Sequence, residues 1–222
     1  MKSFGLYGKF LKESCFEVMK NFSLYLNCYI AFIVVDLLAS IPWAGLGYED
    51  NSFASIITSV IVGIINLIIV VQVILIEKAT EKSTVKEQLL YAAPTYLIYT
   101  LYYSIIFIIG FACFIIPGII LILILGLAPL ASVLIDNDSV NYFKLSYQLA
   151  KKDIALMVAF ILASLVTELM GLAFDFIQNW QVKFGVSVVY SFLDALILIV
   201  VTKASVKTFY YLKSITIGES AY

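Results

Sequence analysis

The chain contains no arginine and no histidine; its 14 basic residues are all lysine. Without a guanidinium fork, bidentate recognition of phosphate or carboxylate is unavailable. Without imidazole, the commonest metal ligand and the usual general base are missing. Charge of either sign is sparse: 13% of residues are charged, against about 25% in a soluble domain. The net charge of −1 gives no electrostatic footprint for nucleic acid. Cys15, Cys28 and Cys113 form neither a CxxC pair nor a metal-ligand spacing, so each reads as a small hydrophobe. No metal or cofactor is expected. GxSxG, HExxH and P-loop motifs are absent too, and "GLGYED" (45–50) falls in a loop rather than ahead of a phosphate-binding helix. The chain reads as non-enzymatic.

What is there is apolar. Hydrophobic residues make up 63% of the chain and mean hydropathy is +1.03, which places it in a bilayer. About 20 apolar residues cross a hydrocarbon core. The sequence predicts an all-α, polytopic membrane protein with six spans, at about 22–46, 54–76, 90–112, 115–135, 154–178 and 186–208. The first 20 residues include Glu13 and Glu17 and precede no small-residue cleavage site, so they do not read as a cleavable signal.

Lysine placement orients these spans. Lys2, Lys9, Lys12 and Lys20 precede the first; Lys78, Lys82 and Lys86 follow the second. Lys144, Lys151 and Lys152 lie before the fifth, and Lys203, Lys207 and Lys213 come at the end of the sixth. Only Lys183 falls on the other side, with the acidic loop. Lysine collects on the cytoplasmic side, so both termini are expected there. Lys, Ile, Tyr and Phe in place of Arg and Ala suggest an AT-rich bacterial genome, hence the cytoplasmic membrane of a prokaryote.

The apolar run 89–135 must then cross twice. Pro117-Gly118 is a turn dipeptide within it, so it is expected to belong to a tight helical hairpin: proline lacks an N–H and glycine permits positive φ. A single helix kinked at Pro117 would put the flanking lysines on opposite sides.

Two amphipathic stretches flank the core, at about 5–20 and 139–152. In the first, Leu6, Phe10 or Leu11, and Phe16 or Met19 are expected to form the apolar stripe; in the second, Val140, Phe143, Tyr147 and Ala150. Such helices lie in the interface plane with lysines toward anionic headgroups, or else pack on the bundle as linkers.

Three carboxylates, Asp36, Glu168 and Asp194, fall within spans at similar depth, where a charge costs at least about 2.5 kcal/mol. They read either as protonated groups bonded to Asn66, Ser104, Thr167 or tyrosine hydroxyls, or as a proton or cation path. In the fifth span Ala155, Ala159, Ala163, Thr167 and Gly171 place a small residue at every fourth position, a ridge for close helix packing.

The segment from Ile115 to Met157 resembles the signature of the YciC-like family of prokaryotic membrane proteins, which includes the membrane domain of some glycerophosphoryl diester phosphodiesterases. The matching positions are Pro117, Gly118, Pro129, Asp136, Ser146, Tyr147, Leu149 and Lys151. The family often has tryptophan at Tyr147 and glycine at Lys152. The resemblance implies a six-span membrane module and carries over no catalytic residue.

Two functions remain open. One is a non-catalytic module that engages lipid or organises a membrane-protein partner or a second copy of itself. The other is a small transporter or channel component that uses the intramembrane carboxylates.

Overall fold

Unpaired backbone groups are too costly in hydrocarbon, so a chain this apolar must satisfy them within helices. A computed structural model describes residues 2–39, 53–78, 83–113, 115–135, 140–173 and 180–219. Among those residues every element is an α-helix: α1 (Lys2–Lys20), α2 (Phe22–Ala39), α3 (Phe53–Lys78), α4 (Ser83–Cys113), α5 (Ile115–Leu125), α6 (Ala128–Leu134), α7 (Tyr142–Lys152), α8 (Ile154–Ala173) and α9 (Trp180–Glu219).

Three of these helices are long and apolar enough to cross a membrane: α3 over Ile57–Lys78, α4 over Gln88–Gly110 and α9 over Val188–Thr216. A fourth is reached only if α1 and α2, bent by 96° at Asn21, count as one broken span. Gly118–Leu134 and Ile154–Ala163 are shorter apolar helices. The six-span expectation is thus met by three helices, or four, on length and composition. The surface agrees with immersion in lipid. Ile57, Val60, Ile61 and Ile64 of α3, and Leu101, Ile105, Ile108 and Ile109 of α4, are all exposed, far more apolar surface than a soluble monomer tolerates. This is a membrane protein.

The hairpin falls elsewhere than at Pro117-Gly118. A Cβ on Gly110 would lie 3.1 Å from the Gly118 Cα and 2.9 Å from Leu121 Cδ1. In one continuous helix those two glycines would stand about 12 Å apart, so the chain reverses between them. Both helices approach backbone to backbone there, which only glycine allows. Gly118 is therefore a packing contact inside α5, not the turn. Pro117 occupies the first turn of α5, where its missing N–H has no intrahelical partner to lose.

The expected single span at 115–135 is interrupted at Gly126-Leu127. Pro129 is the cause: its ring would collide with the Leu125 carbonyl and it cannot donate back along the helix. α6 restarts with Pro129 in its first turn. Every residue of α6 is buried, and it centres a core that draws on Tyr7, Ile74, Leu149, Leu156 and Phe209 from five other helices. A second core joins α1, α2, α3 and α9 through Val18, Tyr25, Cys28, Phe32, Val73 and Ile199.

α9 outruns its expected span, 186–208. At 40 residues it is about 60 Å long, twice the hydrocarbon thickness. No glycine or proline follows Lys203 until Gly218, so nothing stops the helix. Its C-terminal part packs against α1, with Phe10 and Tyr211 in edge contact at 5.8 Å.

Candidate functional site

Where α1, α2, α3 and α9 meet, a cluster of ionisable side chains closes on Lys203. Its Nζ lies 2.6 Å from both carboxylate oxygens of Glu77, 3.1 Å from the Tyr25 hydroxyl oxygen and 3.2 Å from Glu17. Tyr25 in turn donates to Glu77. One turn along α9, Lys207 meets Glu17 at 2.8 Å and Glu13 at 3.5 Å. Lys203 is 8% exposed and Glu77 14%, while Glu17 stands 42% exposed. The cluster thus grades from dry to wet outward along α1. Burial works against ionisation of Glu17, but the hydrogen bonds and charges of Lys207 and Lys203 outweigh it and hold its carboxyl below the ordinary value.

None of these residues was singled out in sequence, where Lys203 and Lys207 served only as orientation marks. A signal existed. Glu13 and Glu17 are one helical turn apart, and so are Lys203 and Lys207. Two such ladders of opposite sign fit each other when their helices run side by side.

The clamp also sets the phase of α1. Its buried positions are Tyr7, Ser14 and Val18, with Leu11 packed against the core. The stripe expected in sequence ran through Phe16 or Met19, which are 70% and 60% exposed. The expected stripe holds through Leu6, Phe10 and Leu11, which pack against the core, and fails at Phe16 and Met19, because opposite charges on α9 hold the Glu13–Glu17 edge there.

Of the intramembrane carboxylates, Asp36 on α2 accepts from Ser191 on α9. Asp194, one turn from Ser191, accepts from Tyr190 at 3.4 Å. Asp36 and Asp194 thus both bond to residues of α9, Ser191 and Tyr190. Glu168 sits on α8, and its side chain lies outside the described residues. Asn66 is not bonded to the carboxylates through its carbonyl oxygen, which is buried with no partner among the described residues. Of the small-residue ridge, Ala159 is buried and Ala155 and Ala163 are half-buried. The Thr167 and Gly171 side-chain positions lie outside the described set.

A second junction forms around α7. Asn141 caps its N-terminus by accepting from the Lys144 amide at 3.0 Å. Asp153 ends α7 and caps α8 by accepting from the Leu156 amide at 2.9 Å. Buried Ser146 donates to the Ile124 carbonyl at 2.7 Å and accepts from the Leu127 amide at 3.2 Å. One hydroxyl thus partners two of the backbone groups stranded by the α5–α6 break, the Leu127 amide and the Ile124 carbonyl. Leu149 beside it is fully buried. The face of α7 turned inward is Tyr142, Ser146, Leu149 and Ala150. Tyr147, expected inward, is 46% exposed, since the α5–α6 break needs a hydroxyl that can reach backbone.

Between α5, α7 and α8 lies an open groove of about 270 Å³, floored by Ala150 and Met157, walled by Leu123 and Ile124 and edged by Lys151. A more polar cavity of about 390 Å³ sits between α3, α4 and α6, lined in part by Lys78, Gln88 and Thr95. Lys78 donates to the Val133 carbonyl at the end of α6, at 2.9 Å. No group of three or more His, Cys, Asp or Glu side chains suited to a metal ion occurs among the described residues.

No family model matches the chain, and no curated protein or solved structure does either. Of the remaining signature positions, Pro129 lies in buried α6, Lys151 is exposed on α7 and Asp136 lies outside the described residues.

Proposed function

We propose that the chain is a non-catalytic membrane module that holds α1 and α7 along the cytoplasmic surface of a prokaryotic membrane and engages anionic lipid through them. A membrane-protein partner or a second copy would assemble on the same surface. One observation carries this reading: α1 stands at 96° to α2 and is clamped to α9 along one edge. Its face opposite Val18 carries Lys9, Lys12, Phe16 and Lys20, all exposed. A helix perpendicular to a span, lysine-bearing and with protruding Phe16 and Met19, suits the headgroup layer.

Six crossings with both termini cytoplasmic belong to the same proposal. α2, the α5–α6 pair and α8 supply the three crossings beyond α3, α4 and α9. Contacts among Glu17, Lys203 and Glu77, and between Lys78 and Val133, support one common lysine-rich end. Labelling that put residues near 82 and 148 on different faces of the membrane would refute the topology. Membership of the YciC-like family is part of the proposal as well; the bridging role of Ser146 gives its signature a physical purpose.

The transporter reading is weakened by the α2–α9 seam. Between the Asp36–Ser191 pair and Lys203 the packing consists of Cys28, Phe32, Ile69, Val73, Ala195 and Ile199, all buried. From Asp194 to Lys203 is about 13 Å of helix, and the one polar side chain between them on α9, Thr202, lies beside Lys203 rather than midway.

Exposed Cys15 on α1 provides the test. With Cys28 and Cys113 replaced by alanine, an environment-sensitive dye on Cys15 should blue-shift more in anionic than in zwitterionic liposomes. Lys9→Glu/Lys12→Glu should remove the difference. Identical emission in both lipids would refute the proposal.

A further inference from the structure

The geometry points to the groove between α5, α7 and α8 as a binding site for one anionic phospholipid, an acyl chain in the groove and its headgroup at Lys151 and Lys144. This rests on the lipid-engaging reading above and names the ligand and the place. The groove interior is apolar, lined by the side chains of Leu123, Ile124, Ala150 and Met157. Its volume of about 270 Å³ lies just under the roughly 300–1,000 Å³ typical of small-molecule sites, so it suits a chain segment better than a compact polar molecule. It opens on a flank where Ile120, Ile154 and Leu162 are exposed, which in a membrane protein faces lipid rather than water.

Charge complementarity selects the occupant. Lys144, Tyr147 and Lys151 lie on one exposed edge of α7, spaced three and four residues apart. α7 contains no acidic residue. The nearest carboxylate in sequence, Asp153, accepts from the Leu156 amide as a helix cap. Tyr147 stands at the mouth as an amphipathic ring, the side chain that favours the headgroup level. Lys151 at the edge of an apolar slot, with Lys144 two turns away along the same exposed edge of α7, thus matches a phosphate above a hydrocarbon chain, each near-surface lysine contributing about five-fold in affinity for anionic lipid.

The test uses the full-length protein in detergent, titrated with phosphatidylglycerol or with phosphatidylcholine of identical chains, with bound lipid counted by native mass spectrometry. One phosphatidylglycerol should bind about 25-fold more tightly than phosphatidylcholine, about five-fold for each of the two lysines. Lys144→Gln/Lys151→Gln should lower that preference about 25-fold, to near parity. Ile154→Trp and, as a second groove-filling variant, Ile120→Trp should each reduce binding of both lipids; both positions are exposed enough to keep the fold, which the melting temperature checks. A phosphatidylglycerol bearing a diazirine on one chain should label Ile124 or Met157.

If neither groove-filling variant changes binding, or labelling falls outside the groove, while Lys9→Glu/Lys12→Glu abolishes the anionic preference, the groove is overturned and the surface-helix reading survives. Equal binding of both lipids, insensitive to every variant, overturns both. Labelling suppressed by a second copy or by a co-purifying hydrophobic peptide would show a protein occupant and overturn the lipid assignment.

Discussion

α1 and α7 are both amphipathic helices packed against the rest of the helical bundle, and they are held by opposite kinds of chemistry. α1 is held by charge: two glutamates on it meet two lysines of α9, with Glu77 and Tyr25 behind them. α7 is held by a neutral hydroxyl that repairs a broken helix and by a fully buried leucine. Ion pairs at a half-wet edge respond to pH and salt, whereas a buried hydroxyl–backbone bridge does not. The first junction is adjustable; the second is fixed.

The largest way to break this comparison lies at Glu77. Glu77→Ala leaves Lys203 buried without its main counter-charge and should destabilise by about 3–5 kcal/mol, with Glu77→Leu/Lys203→Met recovering much of the loss. Chemical unfolding in detergent reads both; a double variant no better than the single would show that the charges themselves stabilise. On the other side, Ser146→Ala strands the Leu127 amide and the Ile124 carbonyl and should cost about 1–3 kcal/mol. Its effect should not change with salt.

Gly110→Val tests the hairpin that positions α5 for α7. It forces atoms into the Gly118 backbone and should cost about 1–3 kcal/mol. A Cβ on Gly63 meets nothing within 4 Å, so Gly63→Ala should be neutral or gain up to about 1 kcal/mol. If both substitutions behave alike, the close approach of α4 and α5 is wrong.

The smallest effect is on pH. The Glu17 carboxyl is held below its ordinary value of 4.5, so its contribution is fully present above that value and is lost as pH falls through the lower, folded value. Hydrogen exchange should therefore show α1 loosening on acidification below about pH 4.5, with α7 unchanged, and 1 M salt should act in the same direction by screening. Glu17→Gln should remove this low-pH step.

Much of the fold was legible from residue order. Helical structure, immersion in lipid, the reversal within 89–135 and the amphipathic character of α1 and α7 all follow from apolar runs, lysine placement and period. The expected spans 90–112 and 115–135 part where α4 and α5 do, but the Pro-Gly dipeptide does not make the turn: Pro117 lies in the first turn of a helix and Gly118 lets α4 approach. The site was less legible. Lys203 looks like any lysine at the end of a span, and only the approach of α3 and α1 makes it the centre of a cluster. Ser146 stood out through a resemblance, without a reason until the α5–α6 break supplied one.

Composition and order alone determined that this chain lives in a membrane, that it is helical and where its lysines gather, since those are sums over local properties. Tertiary structure decided which face of α1 is buried, that α5 and α6 part at Pro129, and that Lys203 meets Glu77 across 126 residues of chain. Those outcomes depend on which helices come to lie side by side, and a lysine or serine carries no mark in sequence of the neighbour it will meet.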